Sequence, residues 1–393
     1  MPASNESISP AVNPTVQTVQ MIGPDGRFEP SATAEEYLPF IEKIGDDMLQ
    51  QFYRDMVISR RFDTEATNLQ RQGHLALWPP SLGQEAAQVG SAHAARPQDH
   101  IFPSYREHIV GMIRGVPGID IIRLMRGLTN GGWNPGDPAN GNVHPYTLVL
   151  GTQTLHATGY AMGVTFDGAV GTGDADADTA VMVYFGDGAS SEGDVSEALV
   201  FAASYQTPQV FFLQNNHWAI SVPVSTQSRT PLYLRPTGFG IPGVQVDGND
   251  VLASYAVAAK HLDDARSGRG PSLIEALTYR MGAHTTSDDP TKYRGDAEVE
   301  YWGARDPIVR YRTYLAGRGV DEAFFREVDE QGADVESDLR ARTLALEPAS
   351  RSLMFDHVYS EPHPLMDEQK AWLQRYENSF VVTESLDGVE ASA

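Results

Sequence analysis

The stretch FGDGASSEGD, residues 185–194, follows the apolar run AVMVY and sets a carboxylate, Asp187, between two glycines. A second apolar run, QVFFL, ends on the amide pair Asn215-Asn216, with 26 residues between Gly188 and Asn215. That interval is long enough for a helix joining two parallel strands, so both polar residues fall at strand carboxyl ends, where open α/β sheets bind ligands. An aspartate, an asparagine and a neighbouring carbonyl make an all-oxygen set, suited to Mg2+ and too hard for soft metals. Mg2+ commonly bridges to phosphates, and the amides of Gly188 and Ala189, at the start of the following helix, suit phosphate oxygens. Asp-Gly after an apolar run is also an ordinary turn pair, so the residues alone leave a tight turn beside the metal and diphosphate reading.

The flanking elements have to hold these two points together. Residues 46–72 carry apolar side chains at helical spacing and stop at Gly73. From 74 to 155 short helices alternate with Gly/Pro-rich loops, of which NGGWNPGDPANGNVHPY is too long for a simple connector. HATGYAMGVTF reads as a tightly packed helix. TAVMVYF, QVFFL, VQVDGND and SLIEALTYR read as strands, separated by the helices VSEALVFAASY and VLASYAVAAKHLDDARSG. Near-continuous apolar strands alternating with helices imply an α/β fold, a mostly parallel sheet covered on both faces. Residues 1–35 read as a flexible polar arm with a short hairpin at Pro24-Asp25-Gly26. Residues 36–315 form the main domain, and 316–393 a helical C-terminal extension with an acidic tail.

Composition removes several classes. The chain has 393 residues and no cysteine, which excludes disulfides, thiolate nucleophiles and Cys-ligated zinc. A net charge of −23 argues against a nucleic-acid partner. No apolar run approaches the ~20 residues of a membrane helix, and the N-terminal stretch fits neither a signal nor a transit peptide, so a cytoplasmic location is expected. Four lysines stand against twenty-five arginines and none lies in a Walker pattern, so anions must be met by Arg and backbone amides. GTGDAD at 171–176 lacks the third glycine and the preceding strand of a dinucleotide fingerprint, and the histidines show no zinc spacing.

The GDG…NN spacing resembles the thiamine diphosphate fingerprint. From about residue 45 to 315 the chain resembles the alpha chain of the thiamine-dependent decarboxylating component of 2-oxo acid dehydrogenase complexes. The likeness rests, in order, on NLQRQG, LGQEA, FPSYRE, GTQ and ATG, YFGDGASSEGD, QNNHWAIS, VDGND and EALTYRMGAHTTSDDP. The resemblance implies a thiamine diphosphate-binding fold in which Asp187, Asn216 and the Trp218 carbonyl bind Mg2+. Tyr105 and Arg106 would meet the cofactor, with Arg106 on the diphosphate as a guanidinium fork suits. Gly186, Gly188, Ala189 and Gln214 would line the same site. Leu150 and the backbone near Leu148 would face the aminopyrimidine, and His284 would be the catalytic histidine at the substrate entrance. Leu77 and Leu150, beside Tyr105, would wall an apolar substrate pocket. Branched-chain members hold a potassium ion in the turn matching Thr147, Val149, Thr152 and Gln153.

Two positions depart from that pattern. Gln214 stands where branched-chain relatives carry an arginine on the diphosphate. Thr285 stands where animal relatives carry a regulatory phosphoserine, which puts kinase control in doubt. The wording of YFGDGASSEGD, VDGND and EALTYRMGAHTTSDD leans to branched-chain members acting on acids such as 2-oxoisovalerate, whereas QNN before the aromatic leans to bacterial pyruvate members. A non-catalytic diphosphate-binding subunit is the alternative of another class. The carboxylate that activates the cofactor's pyrimidine comes, in this superfamily, from a second α/β domain, and only one set of strands is visible. The resemblance therefore implies a beta subunit in an α2β2 heterotetramer, and a lipoyl-bearing acyltransferase core as acceptor of the acyl group.

Overall fold

The computed structural model describes residues 18–129 and 131–386. Helices α1 (Asp46–Arg71) and α2 (Glu85–Ala94) come first, followed by strand β1 (His100–Phe102). Then helix α3 (Thr152–Phe166), strand β2 (Val181–Gly186), helix α4 (Gly193–Tyr205) and strand β3 (Gln209–Asn215) follow one another. Strand β4 (Gly243–Asp247), helix α5 (Val251–Asp264) and strand β5 (Ser272–Leu277) complete the sheet. The sheet order is β1-β2-β3-β5-β4 and every pairing is parallel. All four strands expected from the sequence are present. The three-residue β1 carries too little pattern to be read in advance.

Period-two alternation splits the core into two layers. Val181, Val183, Phe185, Phe211 and Leu213 pack under α3 and α4, against Ala157, Ala161, Val195 and Leu199. Met182, Tyr184, Val210 and Phe212 face the other way, into a larger cluster that includes α2 and α5. There α2 crosses α5 closely: a Cβ on Gly90 would lie 2.7 Å from the Val251 carbonyl oxygen and the Tyr255 nitrogen. Only glycine permits that approach.

The arm expected over 1–35 lies outside the described residues as far as 17, but from Thr18 on it is docked. Val19 pairs with Val246 at the sheet edge. Met21 and Ile22 donate their N–H groups to Asp250 Oδ2 at 2.7 and 2.6 Å. Asp250 also caps α5 through Leu252 N and Ala253 N, so one buried carboxylate ties the arm to the sheet. The hairpin at Pro24-Asp25-Gly26 is present, with Ile22 bridging Phe28. The boundary expected near 315 is not a structural break either. Helix α6 (Glu322–Leu344) buries Phe325, Val328 and Leu339 in the same core as α1. Beyond it, helix α7 (Pro364–Leu386) exposes Trp372, Tyr376 and Phe380. Among the described residues, no helix is long and apolar enough to cross a membrane.

Candidate active site

The register of β2 on β3 sets Gly186 opposite Gln214, so the chain leaves both strands at one level. Asp187 and Asn216 therefore meet at the floor of a cavity of about 410 Å3. Tyr105, Arg106, Leu148, Leu150, Gly186, Gly188, Ala189, Gln214, Trp218 and His284 line it as well. Residues more than 170 positions apart in the chain are thus brought to one place, as the strand-end argument requires.

Asp187 is buried, and burial raises its carboxyl to about pKa 6 against the lowering pull of the Gln227 amide, nearby backbone N–H groups and the Arg280 charge. Gln227 Nε2 donates to Asp187 Oδ2 at 3.1 Å. Asn216 Oδ1 accepts from Trp218 N at 3.2 Å, and the Trp218 carbonyl accepts from Arg280 Nη1 at 3.1 Å. The Gly188 and Ala189 amides do not open α4 as expected. They lead into a short 3-10 turn, Ala189–Ser191, and α4 starts only at Gly193. Gly188 is still required for space: a Cβ there would lie 2.7 Å from Ala219 Cβ, closing the cavity floor.

Two buried guanidinium groups serve the site, Arg106 lining the cavity and Arg280 bonding the backbone of its wall, and among the described residues neither forms an ion pair. Arg106 donates to the carbonyls of Pro80 and His284, the latter at 2.9 Å. Arg280 donates to the carbonyls of Trp218 and Ile220. His284 Nδ1 lies 3.3 Å from each guanidinium. Burial, then the charges of Arg106 and Arg280, hold its pKa down at about 3, so the imidazole is neutral at ordinary pH. The Tyr105 ring stands edge-on to it at 6.1 Å. The loop carrying Pro80 is fixed from below by Asp63, which accepts from Trp78 Nε1 at 2.8 Å and Ser81 N at 3.0 Å.

Several expected residues stand elsewhere or act differently. Leu77 does not line the cavity, and its side chain is 38% exposed, so it is no pocket wall. Gln214 lines the cavity, but both its polar atoms bond protein: Nε2 donates to Glu107 Oε1, and Oε1 accepts from Gln84 and Gln88. One N–H of its Nε2 has no protein partner among the described residues, so a diphosphate contact rests on that single donor. The turn at 147–153 lies at the cavity rim, and its oxygens make one local hydrogen bond each. Val149 O accepts from Thr152 N, Thr152 Oγ1 bonds Asp194, and Gln153 Oε1 accepts from Gly151 N. Gln84, Ser104, Glu107, Glu192, Ala219, Ile220 and Arg280 belong to the site or its wall and were not singled out. Only Arg280 carried a signal, as a cation directly after an apolar strand.

A buried carboxylate beside an amide oxygen, with the unpaired Arg106 guanidinium lining the same cavity and Arg280 on its wall, fits a metal-bound polyanion. Residues 53–339 match the model of the Dehydrogenase E1 component family. The chain belongs to that family. It is an oxidoreductase component of the E1 type, and the family works with thiamine diphosphate. The 3-methyl-2-oxobutanoate dehydrogenase subunit alpha of Mycobacterium tuberculosis is 44% identical over 91% of this chain and 94% of its own length. The pyruvate dehydrogenase E1 component subunit alpha of Acholeplasma laidlawii is 37% identical over 85% of this E1 chain and 95% of its own. The Bacillus subtilis pyruvate dehydrogenase E1 component subunit alpha is 33% identical over 84% and 87%.

Proposed function

We propose that this chain is the alpha subunit of a branched-chain 2-oxo acid dehydrogenase acting on 3-methyl-2-oxobutanoate (2-oxoisovalerate), working in the cytoplasm with a beta subunit in an α2β2 assembly. The observation that carries the reading is the meeting of Asp187 and Asn216 beneath Arg106, Arg280 and His284. Asp187, Asn216 and the Trp218 carbonyl would hold Mg2+. Arg106, Tyr105 and the Gly188 and Ala189 amides would hold the diphosphate. Bound there, thiamine diphosphate supplies the electron sink that lets a 2-oxo acid lose CO2 and pass its acyl group to a lipoyl arm. The protein's contribution is to bind, orient and exclude water. Asp187 offsets the metal charge, and the two guanidiniums offset the diphosphate in a site of low dielectric. Neutral His284 offers hydrogen bonds at the mouth without adding a third positive charge. In the turn at 147–153, Val149 O, Thr152 Oγ1 and Gln153 Oε1 each make one local bond and keep a lone pair, so with Thr147 they would hold a potassium ion.

Leu148, 73% exposed, and half-buried Leu150 give the cavity an apolar rim, which favours a branched side chain. The higher identity to the 3-methyl-2-oxobutanoate enzyme supports the same choice. An apolar pocket discriminates by only ~1–3 kcal/mol per methylene, so activity on pyruvate is expected to persist at a lower level. The test is kcat/KM of the reconstituted complex for 3-methyl-2-oxobutanoate, 4-methyl-2-oxopentanoate and pyruvate. A branched acid should lead, and a pyruvate value above both would reassign the substrate.

A further inference from the structure

A line of buried amides connects Glu107 to Asn216 and runs in one direction only. Glu107 Oε2 accepts from Ser104 N at 2.6 Å and from Ser104 Oγ at 2.7 Å, and its Oε1 accepts from Gln214 Nε2 at 2.7 Å. An ionised carboxylate so placed can only accept, so Gln214 turns its NH2 toward it. That leaves Gln214 Oε1 to accept from Gln84 Nε2 at 3.2 Å. Gln84 Oε1 is then the group that faces Asn216, and it accepts from Asn216 Nδ2 at 2.7 Å. At the far end Asn216 Oδ1 accepts from Trp218 N, a group that can only donate. Both ends therefore dictate the same orientation of every amide between them. A side branch agrees: Gln88 Nε2 donates to the Arg106 carbonyl as well as to Gln214 Oε1.

We propose that the Glu107–Gln214–Gln84 chain is a positioning device that presents the oxygen, not the nitrogen, of the Asn216 amide to the metal. An asparagine amide is nearly symmetric in shape, and turned over it would aim two N–H donors at a cation. Partners behind a metal ligand fix its orientation and are felt in affinity. Gln214 has this role whether or not its second N–H meets a diphosphate, and Gln84 and Glu107 acquire one. The inference rests on the Mg2+ reading given above, and the experiment separates the two.

The probe is Mg2+ titrated into the purified complex with its beta subunit at fixed thiamine diphosphate, with cofactor binding followed by calorimetry. Gln84→Leu should raise the Mg2+ concentration for half-maximal binding by roughly 10–100-fold, the range for loss of a partner behind a metal ligand. Its thermal midpoint without ligands should stay near the parent's. Gln84→Glu keeps an acceptor for Asn216 Nδ2 but sets an oxygen against Gln214 Oε1, so it should recover part of that loss. Glu107→Gln is a second, isosteric probe. No orientation of a glutamine there satisfies both Ser104 N and Gln214 Nε2, so it should raise the same concentration at least about threefold, short of the ceiling set by Gln84→Leu. In an Asn216→Asp background, where no amide needs orienting, Gln84→Leu should have little effect. If neither Gln84→Leu nor Glu107→Gln moves the Mg2+ requirement while Asn216→Ala abolishes cofactor binding, the positioning role is wrong and the metal site stands. If Asn216→Ala leaves the requirement unchanged, the metal assignment falls and takes this inference with it.

Discussion

His284 Nδ1 lies 3.3 Å from Arg106 Nη2, and Arg280 Nη1 approaches the same nitrogen at the same distance. Two cationic donors on Nδ1 make that atom the acceptor and place the ring proton on Nε2. Burial with these charges holds the pKa near 3, so the histidine works as a neutral hydrogen-bonding group. His284→Ala should lower turnover by at least ~100-fold, the lower range for losing one hydrogen-bond donor aimed at a reacting centre. Steady-state rates of the reconstituted complex provide the check, and near-normal turnover would make the residue a bystander.

The cavity carboxylate gives a pH prediction. Asp187 has a folded pKa raised to about 6 by burial, above its unfolded value, so the ligand-free fold loses stability as pH rises through roughly 4 to 6. Mg2+ must displace that proton. Metal-dependent cofactor binding should weaken by up to about tenfold per pH unit below 6, and release a proton there that is absent at pH 8. Calorimetry in buffers of different ionisation heat measures the proton directly.

Acid stability should be set by buried histidines. Burial lowers His108 and His284 to about 3, and His100, His144, His217 and His261 to about 4. Their folded values lie below the unfolded value, so each contributes stability that is present above about pH 6.5 and lost as pH falls toward 4. Asp63, Glu107, Asp187, Asp250 and Glu298, whose carboxyls burial raises, oppose this trend, but the six histidines outnumber them. The thermal midpoint should fall by several degrees between pH 7 and pH 5, read by circular dichroism.

Gly188→Ala should separate binding from folding. The added Cβ would meet Ala219 Cβ at 2.7 Å and push the loop that carries Trp218 and Ile220 out of place. Cofactor affinity should drop at least about tenfold, while stability changes by no more than about 1–3 kcal/mol, the usual cost of overpacking. Parallel binding and urea titrations give both numbers.

The residues that could be read in advance were those whose position follows from the strands. Asp187 and Asn216 terminate long, strongly apolar β2 and β3, so their meeting follows from register. Arg106 and His284 were found through motif likeness, since nothing local marks a loop residue as facing a cavity. Gln84 and Glu107 escaped because their role exists only in hydrogen bonds spanning 132 and 107 positions, to Asn216 and Gln214. Leu77 was misplaced for the same reason: side-chain direction in a loop is set by tertiary packing, here Trp78 turning inward onto Asp63. The arm was underestimated because its anchors, Val19, Met21 and Ile22, are few and dock on a distant cap.

Alone, the chain should be inactive. Among the described residues the strands form one five-stranded parallel sheet and a two-residue-long antiparallel pair, and the group that activates the pyrimidine is expected from a beta subunit. Decarboxylation of a 2-oxo acid with a dye acceptor should therefore be seen with the beta subunit and be absent without it.

The central claim is that Asp187 and Asn216 hold a metal which the diphosphate needs. Titrating thiamine diphosphate into the reconstituted complex in Mg2+ and in EDTA tests it most directly. Binding should require Mg2+ and should be lost in Asp187→Ala and Asn216→Ala, with the circular dichroism of the fold unchanged. Equal affinity in Mg2+ and EDTA would contradict it.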